Sequence, residues 1–574
     1  MEQTPWLSHY DEGVPKTLRP YPERTLLDYI ADTAREHPDH PALLFKGLRV
    51  PYGELERVTD AFAVALAELG VKKGHRVALL LPNCPQFIIA ELGVWKAGAT
   101  VCPLNPIYTE RELEEPLVNC APETIVTLTL FYNRVKSIQP NTKLKRVIAT
   151  NIKEFLPPVL RLLFTLVKEK REGHRIHLQP GDLWFSDLLR TKRSKMGTGV
   201  SISPDDPAVI LMSGGTTGTP KGAVGTHRGL VVSAIQLNSW FKNLIEEWQD
   251  TFMLPLPLFH VYANAGVQCC AFVGRQTLSL IPNPRDIKDI LHTIARVRPG
   301  LFISVPTLFI ALLNHPDVKT GKVDFKSIKL CISGAAPLMA ETKKSFEELT
   351  GGRILEGYSL TEAMMACTVN PTLGVKKIGS IGMPLPDVEV RITDPEFGDK
   401  ILPTGEVGEV LMRAPQLMQG YWQNPEETAG VLQVHGEGGP CLHTGDLGYM
   451  DEDGYIFIVD RKKDVIKPSG FQVWPREVEE VISSHSAVLE VGVAGVPDDY
   501  QGEAVKAWVV LRSGQQATVD EIRQYCRQKL AAYKVPKHVE FRENLPKSMV
   551  GKVLRRLLAQ EEKAKRVQQE NPVR

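Results

Sequence analysis

The chain has almost no excess of charge of either sign, because its 68 Lys and Arg residues are balanced by 67 Asp and Glu residues. The net charge is +1 over 574 residues. This balance excludes a protein dominated by binding to a polyanion, and we predict no nucleic-acid partner. Long hydrophobic runs are missing too, since no window reaches about 18 uninterrupted apolar residues, and the start lacks a basic stretch followed by an apolar one. We therefore expect no transmembrane span, no signal peptide and a cytoplasmic location.

Paired cysteines are also lacking. The nine cysteines are odd in number and scattered, without a C-x-x-C motif. This excludes a disulfide framework and favours reduced thiols. Apolar and charged residues are present in ordinary amounts, 43% and 24%, which is typical of folded globular chains.

Helix-like and strand-like segments alternate in the first part of the chain. Amphipathic or apolar helical stretches and short apolar strand-like runs succeed one another at 53–70, 76–81, 85–98 and 99–104. Such alternation predicts βαβ units and an α/β fold with mainly parallel sheets, arranged in several subdomains. After Gly454 the segments shorten and strands and helices alternate quickly, which predicts a small α+β domain at the C-terminal end.

The most informative motif is Ser213-Gly-Gly-Thr-Thr-Gly-Thr-Pro-Lys-Gly222, which directly follows an apolar, strand-like run. Its glycines let a backbone approach phosphate oxygens, and the hydroxyls of Thr216, Thr217 and Thr219 supply donors near Lys221. The motif differs from a Walker A loop, because glycine rather than serine or threonine follows the lysine. It therefore predicts a phosphate-binding loop of another type.

At this loop the sequence resembles the AMP-forming adenylate superfamily, which includes acyl-CoA synthetases, luciferases and the adenylation domains of peptide synthetases. Further motifs follow in that family's order along nearly the whole chain: Pro257-Leu-Phe-His260, Gly334-Ala-Ala-Pro337, Gly357-Tyr-Ser-Leu-Thr-Glu362, Leu442-His-Thr-Gly-Asp446, Asp460-Arg-Lys-Lys-Asp464 and Leu545-Pro-Lys-Ser-Met-Val-Gly-Lys552. The sequence is most similar to bacterial long-chain fatty acid–CoA ligases, through the paired glycines before Thr216 and through segments 172–175, 180–184 and 545–556.

The resemblance implies a reaction in which a carboxylate attacks the α-phosphate of ATP, pyrophosphate leaves, and the thiol of CoA then displaces AMP. Such chemistry depends on positioning and on stabilisation of charge, so the site needs cations, backbone donors and Mg²⁺. The resemblance implies a metal at Glu362 and Thr216, and Mg²⁺ suits such a site because it binds through a carboxylate and phosphate oxygens. The resemblance implies a nucleotide site made of Thr216, Thr217, Gly218, Thr219 and Lys221 at the phosphates, Gly334, Ala335, Glu356, Gly357 and Tyr358 at the adenine, Thr361 at the α-phosphate, and Asp446 and Arg461 at the ribose.

The small domain carries the residues that the resemblance assigns to the two half-reactions. Lys552 matches the adenylation lysine, and Lys463 matches the hinge about which the small domain rotates between the two steps. Lys467 and Gly470 belong to a loop expected at the thioester site. We accordingly divide the chain into a large AMP-binding domain (1–459), a hinge (460–463), a small domain (464–560) and a polar tail (561–574).

His260 lies beside the acyl site in this family, although an isolated histidine after Pro-Leu-Phe is also typical of a packed core residue. The resemblance implies a positioning role, since a carboxylate substrate is already ionised at neutral pH. The expected catalytic set is His260, Thr361, Glu362 and Lys552, and the residues expected to border the acyl pocket are Val261, Tyr262 and Gly266.

Residues 155–168 form a strongly apolar stretch that is too short to span a bilayer and is followed by Glu169-Lys170-Arg171. Two interpretations stay open. One is a helix buried against the large domain, and the other is a helix in the membrane interface, which would place the protein peripherally on the inner face of a membrane.

Together these features predict a ligase that joins a fatty acid, long-chain by resemblance, to CoA through an acyl-adenylate, with ATP, CoA and Mg²⁺ as co-substrates and cofactor. Three alternatives stay open: a ligase for medium-chain or aryl acids, an acyl-AMP ligase that passes its product to a carrier protein, and a catalytically silent lipid-binding protein. A homodimer is a further prediction about partners.

Overall fold

A computed structural model describes residues 4–192, 197–213, 220–336, 338–365, 367–396, 398–435, 438–548 and 551–570, with the side chains of 567–570 left out. Within these ranges two large, mostly parallel sheets, an antiparallel sheet and a small mixed sheet are covered by helices. The predicted α/β class is therefore confirmed. No helix in the described ranges combines the length and the apolar character needed to cross a membrane.

The first large sheet is built mainly from the N-terminal part of the chain. Its strand order is β7-β6-β5-β3-β4-β8-β9, and all neighbours are parallel except the hairpin β8/β9. Strands such as 76–80 are almost wholly buried, because helices cover both faces of a parallel sheet. The elements of this part are α1 (Leu26–Glu36), β1 (Pro41–Phe45), β2 (Leu48–Pro51), α2 (Tyr52–Glu68), β3 (Arg76–Leu80), α3 (Pro85–Lys96), β4 (Thr100–Pro103), α4 (Glu110–Cys120), β5 (Thr124–Leu128), α5 (Tyr132–Ile138), β6 (Arg146–Thr150), α6 (Pro158–Leu163), β7 (Leu183–Trp184), α7 (Phe185–Lys192), β8 (Pro207–Ser213), β9 (Lys221–Thr226) and α8 (His227–Phe241).

The second large sheet takes β1 and β2 from the start of the chain and the rest from the middle, in the order β16-β15-β14-β13-β12-β10-β11-β1-β2. Its centre is parallel and its two ends are antiparallel. Parallel strands end at a common edge, and this brings the residues after β13 and β14 together. The added elements are β10 (Thr251–Leu254), α9 (Cys269–Val273), β11 (Thr277–Leu280), α10 (Ile287–Val297), β12 (Leu301–Ser304), α11 (Pro306–Asn314), α12 (Pro316–Lys319), β13 (Leu330–Ser333), α13 (Ala340–Thr350), β14 (Arg353–Tyr358), β15 (Thr368–Val369) and β16 (Met383–Pro384).

An antiparallel sheet completes the large domain. Its strands follow the order β17-β18-β20-β19, with β21 paired to β20. In the β20/β21 pair, Asp446 lies directly opposite Arg461. The elements are β17 (Glu389–Thr393), β18 (Gly408–Arg413), α14 (Pro425–Val431), β19 (Leu432–Val434), β20 (Pro440–Met450) and β21 (Ile456–Arg461).

The small domain is a three-stranded sheet with helices on both faces, as predicted for an α+β unit. β22 and β23 are antiparallel and β24 is parallel to β23. One face packs on Val478, Ile482 and Ile522, and the other packs Trp508 and Leu545 against Leu558. The elements are α15 (Pro475–Ser483), β22 (Val488–Asp498), β23 (Gly502–Leu511), α16 (Val519–Arg527), β24 (His538–Phe541) and α17 (Arg555–Glu570).

Residues 561–570, predicted to belong to a polar tail, instead continue α17. The segment has no apolar stripe, and two of its glutamates are held by cations of the small domain: Glu561 pairs with Arg542 at 2.7 Å and Glu562 with Lys506 at 2.8 Å. Charge pairing with the domain surface thus extends a helix that apolar periodicity does not predict.

Candidate active site

The predicted phosphate loop joins the two strands of the β8/β9 hairpin. Ser213 at the end of β8 is paired with Lys221 at the start of β9. Thr216, Thr217, Gly218 and Thr219 lie outside the described residues. The hairpin nonetheless fixes Lys221, whose side chain is only 17% exposed.

Tyr421 contacts both Lys221 and Glu362. The Lys221 ammonium lies 5.3 Å from the centre of the Tyr421 ring and 2.6 Å from a carboxylate oxygen of Glu427. The Tyr421 hydroxyl donates a hydrogen bond of 2.7 Å to Oε1 of Glu362. Burial, and next the charge of Glu362, raise the pKa of Tyr421, so this hydroxyl stays protonated and remains a donor.

Glu362 fits the role expected of a Mg²⁺ ligand. It lies in the single helical turn Thr361–Ala363, and Met418 holds that turn by donating its backbone N–H to the Glu362 carbonyl at 2.9 Å. Tyr421 engages Oε1, while Oε2 accepts no hydrogen bond from a described residue. Among the described residues, no group of three or more His, Cys, Asp or Glu side chains is arranged so that it could hold a metal ion by itself. A single carboxylate suits a metal that also takes phosphate oxygens and water.

Asp446 and Arg461, both predicted at the ribose, form an ion pair with each other. Nε of Arg461 lies 3.1 Å from Oδ1 of Asp446, and the hydroxyl of Tyr358 donates to Oδ2 at 2.5 Å. Burial, followed by the negative charge of Asp446, raises the pKa of Tyr358, so the hydroxyl remains a donor. A carboxylate has about four acceptor positions, so two partners leave room for the two hydroxyls of a ribose.

The residues predicted for adenine and those predicted for the acyl chain line one pocket. Gly334, Ala335, Gly357 and Tyr358 come from the adjacent ends of β13 and β14, and Val261, Tyr262 and Gly266 come from a helical segment before α9. Glu356 is not among the lining residues, and its carboxylate pairs with Lys343 at 3.3 Å.

Glycine at positions 334 and 266 is required by close approach. A Cβ at Gly334 would lie 2.9 Å from Cε1 of Tyr262, and a Cβ at Gly266 would lie 2.9 Å from Cγ of Met365. Both neighbours are side chains of the pocket wall. Larger residues at either position would therefore displace Tyr262 or Met365 and change the shape of the pocket wall.

His260 lies in the wall of the same pocket. Burial lowers its pKa to about 4, so the imidazole is neutral near pH 7. The backbone N–H of Tyr262 donates to Nδ1 at 3.3 Å, which places the proton of the neutral ring on Nε2. A neutral ring with one N–H can position a carboxylate by hydrogen bonding.

Lys552 of the small domain shares the charge cluster of the large domain. Burial first, and then the charge of Arg461, lower the pKa of Lys552 to about 8, while Asp446 acts in the opposite direction. Lys552 is at the same time exposed to solvent, so part of its side chain remains in contact with water. Beside it, a Cβ at Gly551 would lie 2.5 Å from Oγ1 of Thr307 in α11. The loop before α17 therefore packs against the large domain.

The predicted hinge begins inside β21, because that strand includes Asp460 and Arg461. Asp460 is buried and accepts hydrogen bonds from Arg555 at 2.7 Å and from the backbone N–H of Arg476 at 2.6 Å. Arg555 also binds Glu479 at 2.5 Å. The strand end is thus tied to the small domain, and Lys463 lies exposed in the turn that follows.

Lys467 and Gly470 lie apart from the pocket that His260 lines. The turn Pro468–Gly470 borders a groove within the small domain, together with Phe471 and Tyr533, whose rings stack at 4.8 Å. Gly470 has a φ of +86°, and a Cβ there would meet no atom within 4 Å. Conformation, and not crowding, favours glycine at this position.

Sequence reasoning missed Tyr421, Met365 and Glu409. Tyr421 holds Glu362, Met365 fills the space over Gly266, and Glu409 accepts from the Gly445 backbone N–H at 3.1 Å beside Asp446. None belongs to a motif that the sequence analysis used. The one available signal was position, since Met365 lies three residues after Glu362.

Comparisons with known proteins match both parts of the chain. Residues 30–422 match the model of the AMP-binding enzyme family, and residues 477–552 match that of the AMP-binding enzyme C-terminal domain. A long-chain-fatty-acid–CoA ligase of Bacillus subtilis (strain 168) is 39% identical over 98% of both chains, and one of Escherichia coli O6:H1 is 37% identical over the same shares. The crystal structure of the anthranilate CoA ligase AuaEII with anthranoyl-AMP superposes with a TM-score of 0.83 at 26% identity, covering 95% of this chain and 99% of the other.

Proposed function

The chain belongs to the AMP-binding enzyme family and is an ATP-dependent, AMP-forming CoA ligase, and from this premise we propose that the acid it activates is a long-chain fatty acid. The observation that carries the proposal is the apolar wall of the pocket beyond His260, which includes Leu237, Phe241, Val267 and Ile303. No lysine or arginine lines it among the described residues. Such a wall suits a hydrocarbon chain and offers no partner for a second charged group on the acid.

In the proposed first step, Lys552 stabilises the negative charge that develops as the carboxylate meets the α-phosphate. His260 positions the carboxylate, and Asp446 with Arg461 holds the ribose. Preorganised charges of this kind supply most of the rate in phosphoryl-type transfers.

A second group of residues is proposed to bind the phosphates and the metal. Lys221, with Thr216, Thr217, Gly218 and Thr219, is proposed to bind the β- and γ-phosphates, and Thr361 to contact the α-phosphate. Glu362, with Thr216, would hold Mg²⁺, which when bound neutralises phosphate charge. Gly334, Ala335, Gly357 and Tyr358 are proposed to enclose the adenine, with Glu356 behind them.

For the second step we propose that the small domain rotates about residues 460–463. Rotation would withdraw Lys552 and bring Lys467 and Gly470 to the acyl-adenylate, where CoA attacks. The position of the hinge between the two matched ranges supports this division. Contact with a membrane surface through 155–168 and the homodimer are predictions about partners.

Pyrophosphate release tests the proposal. Straight-chain acids from short to long, together with aryl acids, are offered with ATP and Mg²⁺, with and without CoA. We expect turnover to peak on long chains and to require CoA. Preference for aryl acids, as the anthranilate ligase neighbour would suggest, or one burst without CoA dependence, would contradict it.

The variant Gly266→Val sharpens the test, because its side chain would collide with Met365 in the wall of the pocket. We expect it to lose activity on long acids by about tenfold or more while short acids are less affected. Equal losses at every chain length would show that the pocket beside Gly266 does not hold the chain.

A further inference from the structure

Residues 158–168 form an exposed helix on the surface of the large domain. α6 (Pro158–Leu163) continues without interruption into a wider helical turn over Phe164–Lys168. None of the side chains in this segment, called the apolar helix below, is buried. The interpretation of 155–168 as a helix buried against the large domain is therefore wrong.

Large apolar side chains form one stripe along the apolar helix. They follow the spacing i, i+3, i+4, i+7 and i+8, which in a globular protein normally faces the core. Here all of them face solvent, with exposed fractions between 50% and 72%: Val159, Leu162, Leu163, Leu166 and Val167. An ordered apolar stripe of this size on a surface indicates a partner.

The opposite side of the apolar helix is fixed to the domain. The ring of Phe164 packs edge-on against His174 at 5.2 Å, and His174 is hydrogen-bonded to Thr129 at 3.0 Å. Just after the helix, Glu169 points inward and binds Lys153 at 2.6 Å. The stripe is consequently held outward by specific contacts on the inner side.

Basic residues outnumber acidic ones in the apolar helix and just after it, although the exposed Glu172 pairs with Lys168 at 3.8 Å and with Arg171 at 3.4 Å. Residues 155–175 contain five basic residues and two glutamates, and one of those glutamates, Glu169, is buried in its ion pair. The basic residues are all exposed: Arg161, Lys168, Lys170, Arg171 and Arg175. Apolar side chains flanked by exposed cations are the combination that binds the interface of an anionic bilayer.

We propose that the apolar helix docks this protein on the surface of an anionic lipid bilayer, lying in the interface with its apolar stripe among the acyl chains. The segment is about 16 Å long at 1.5 Å per residue, so it can lie on a bilayer and not span it. This inference deepens the proposed function and rests on it. Docking on a bilayer would serve a ligase of long-chain acids, because such acids dissolve in bilayers.

The fold places the apolar helix at the same sheet edge as the segment that leads to His260. The apolar helix follows β6. Strand β5 pairs in parallel with both β6 and β3, so β6 and β3 end at the same edge of the sheet. Just after β3, Asn83 binds the carbonyl of Leu256 at 2.7 Å and the N–H of Leu258 at 2.9 Å. A docked helix would thus bring this edge of the protein toward the membrane.

Co-sedimentation of the full chain with vesicles of phosphatidylglycerol and phosphatidylcholine tests the docking, without ATP, acid or CoA. The double variant Leu162→Glu, Leu166→Glu is compared with a matched control, Val375→Glu, Ile378→Glu, whose parent side chains are 68% and 78% exposed elsewhere on the large domain. We expect the wild type and the control to bind, and the helix variant to bind at least about tenfold more weakly. Circular dichroism melts verify that both variants fold.

Three further measurements test the charges. Lys170→Glu, Arg171→Glu, raised salt and pure phosphatidylcholine vesicles should each weaken binding. Equal sedimentation of the helix variant and the wild type, or no binding by either, would overturn the proposal. So would light scattering that shows a wild-type dimer and a monomeric helix variant, because the stripe would then be covered by a second copy of the chain.

The assay separates this proposal from the proposed function. Docking without turnover on any fatty acid would overturn the substrate assignment alone. Turnover on long-chain acids with no vesicle binding would overturn the docking alone.

Discussion

Two carboxylates in the cleft, Glu362 and Asp446, are each held by the hydroxyl of a tyrosine, Tyr421 and Tyr358 respectively. Both tyrosines have a raised pKa, so neither hydroxyl ionises near neutral pH. The two pairs have the same chemistry and are proposed to serve different ligands, the metal and the ribose. Matched substitutions can therefore separate the two roles.

We expect Tyr421→Phe to raise the Mg²⁺ concentration needed for half-maximal adenylation by about tenfold, because a hydrogen bond to a charged group contributes about 1.5–3 kcal/mol. Tyr358→Phe should instead raise the KM for ATP at saturating Mg²⁺. Titrations of pyrophosphate release with Mg²⁺ and with ATP measure both. Identical profiles for the two variants would contradict the separation.

Lys552 sets the expected pH dependence of adenylation. Its pKa is lowered to about 8 by burial and by Arg461, and the proposed role needs the protonated ammonium. We therefore expect kcat/KM for adenylation to fall as pH rises above about 8. His260, with a pKa of about 4, stays neutral throughout that range and adds no inflection there.

Lys552→Ala is the control for that profile. It should lower adenylation by about 10²–10³-fold and remove the alkaline inflection. Thioester formation from supplied acyl-AMP should survive, since Lys552 is proposed to act in the first step alone. An unchanged inflection in Lys552→Ala would assign it to another group.

The motifs of the sequence name the charged residues proposed for the site, but not the residues that hold them in place. Asp446 and Arg461 lie far enough apart along the chain that only a motif could link them, and the structure pairs them across β20 and β21. Tyr421 and Glu409 carry no comparable signal, because each reaches the site through a tertiary contact made by an ordinary residue of a loop or strand. The roles of Thr216 and its neighbours stay predictions, since these residues lie outside the described ranges.

Among secondary-structure elements, those with strong apolar patterns were predicted closely. Segments 76–81 and 85–98 appear as β3 and α3 within two residues at each end, because buried strands and helices are specified by their own apolar runs. Two elements were not predicted by their apolar patterns. Residues 561–570 are helical through charge pairs, and the apolar helix has a core-like pattern that faces solvent.

The turn after β21 is the element expected to move between the half-reactions. Asp460, in the strand before this turn, is hydrogen-bonded to Arg555, and Lys463 lies exposed in the turn itself. We expect Lys463→Pro to slow thioester formation while sparing adenylation, because proline fixes φ and restricts the residue before it. Stopped-flow measurement of each half-reaction, with Lys463→Ala as the matched control, provides the test. A normal second step in the proline variant would refute the hinge.

At the scale of the whole molecule, the structure shows the arrangement in which Lys552 shares a charge cluster with Asp446 and Arg461. One close contact accompanies it, between Gly551 and Thr307 of α11. Gly551 also has a φ of +74°, so two separate reasons favour glycine there. Distinguishing them shows whether docking of the small domain limits adenylation.

We expect Gly551→Ala to reduce adenylation by about tenfold or more, since its Cβ would lie 2.5 Å from Oγ1 of Thr307 and push the loop away from the large domain. Thr307→Ala alone should be near wild type. In the double variant Gly551→Ala, Thr307→Ala, the remaining Cβ of residue 307 lies 3.4 Å away, so adenylation should recover in part. Pyrophosphate release from the four proteins completes a double-mutant cycle. If the double variant is no better than Gly551→Ala, the strain of the positive φ accounts for the loss, and the contact with Thr307 does not control docking.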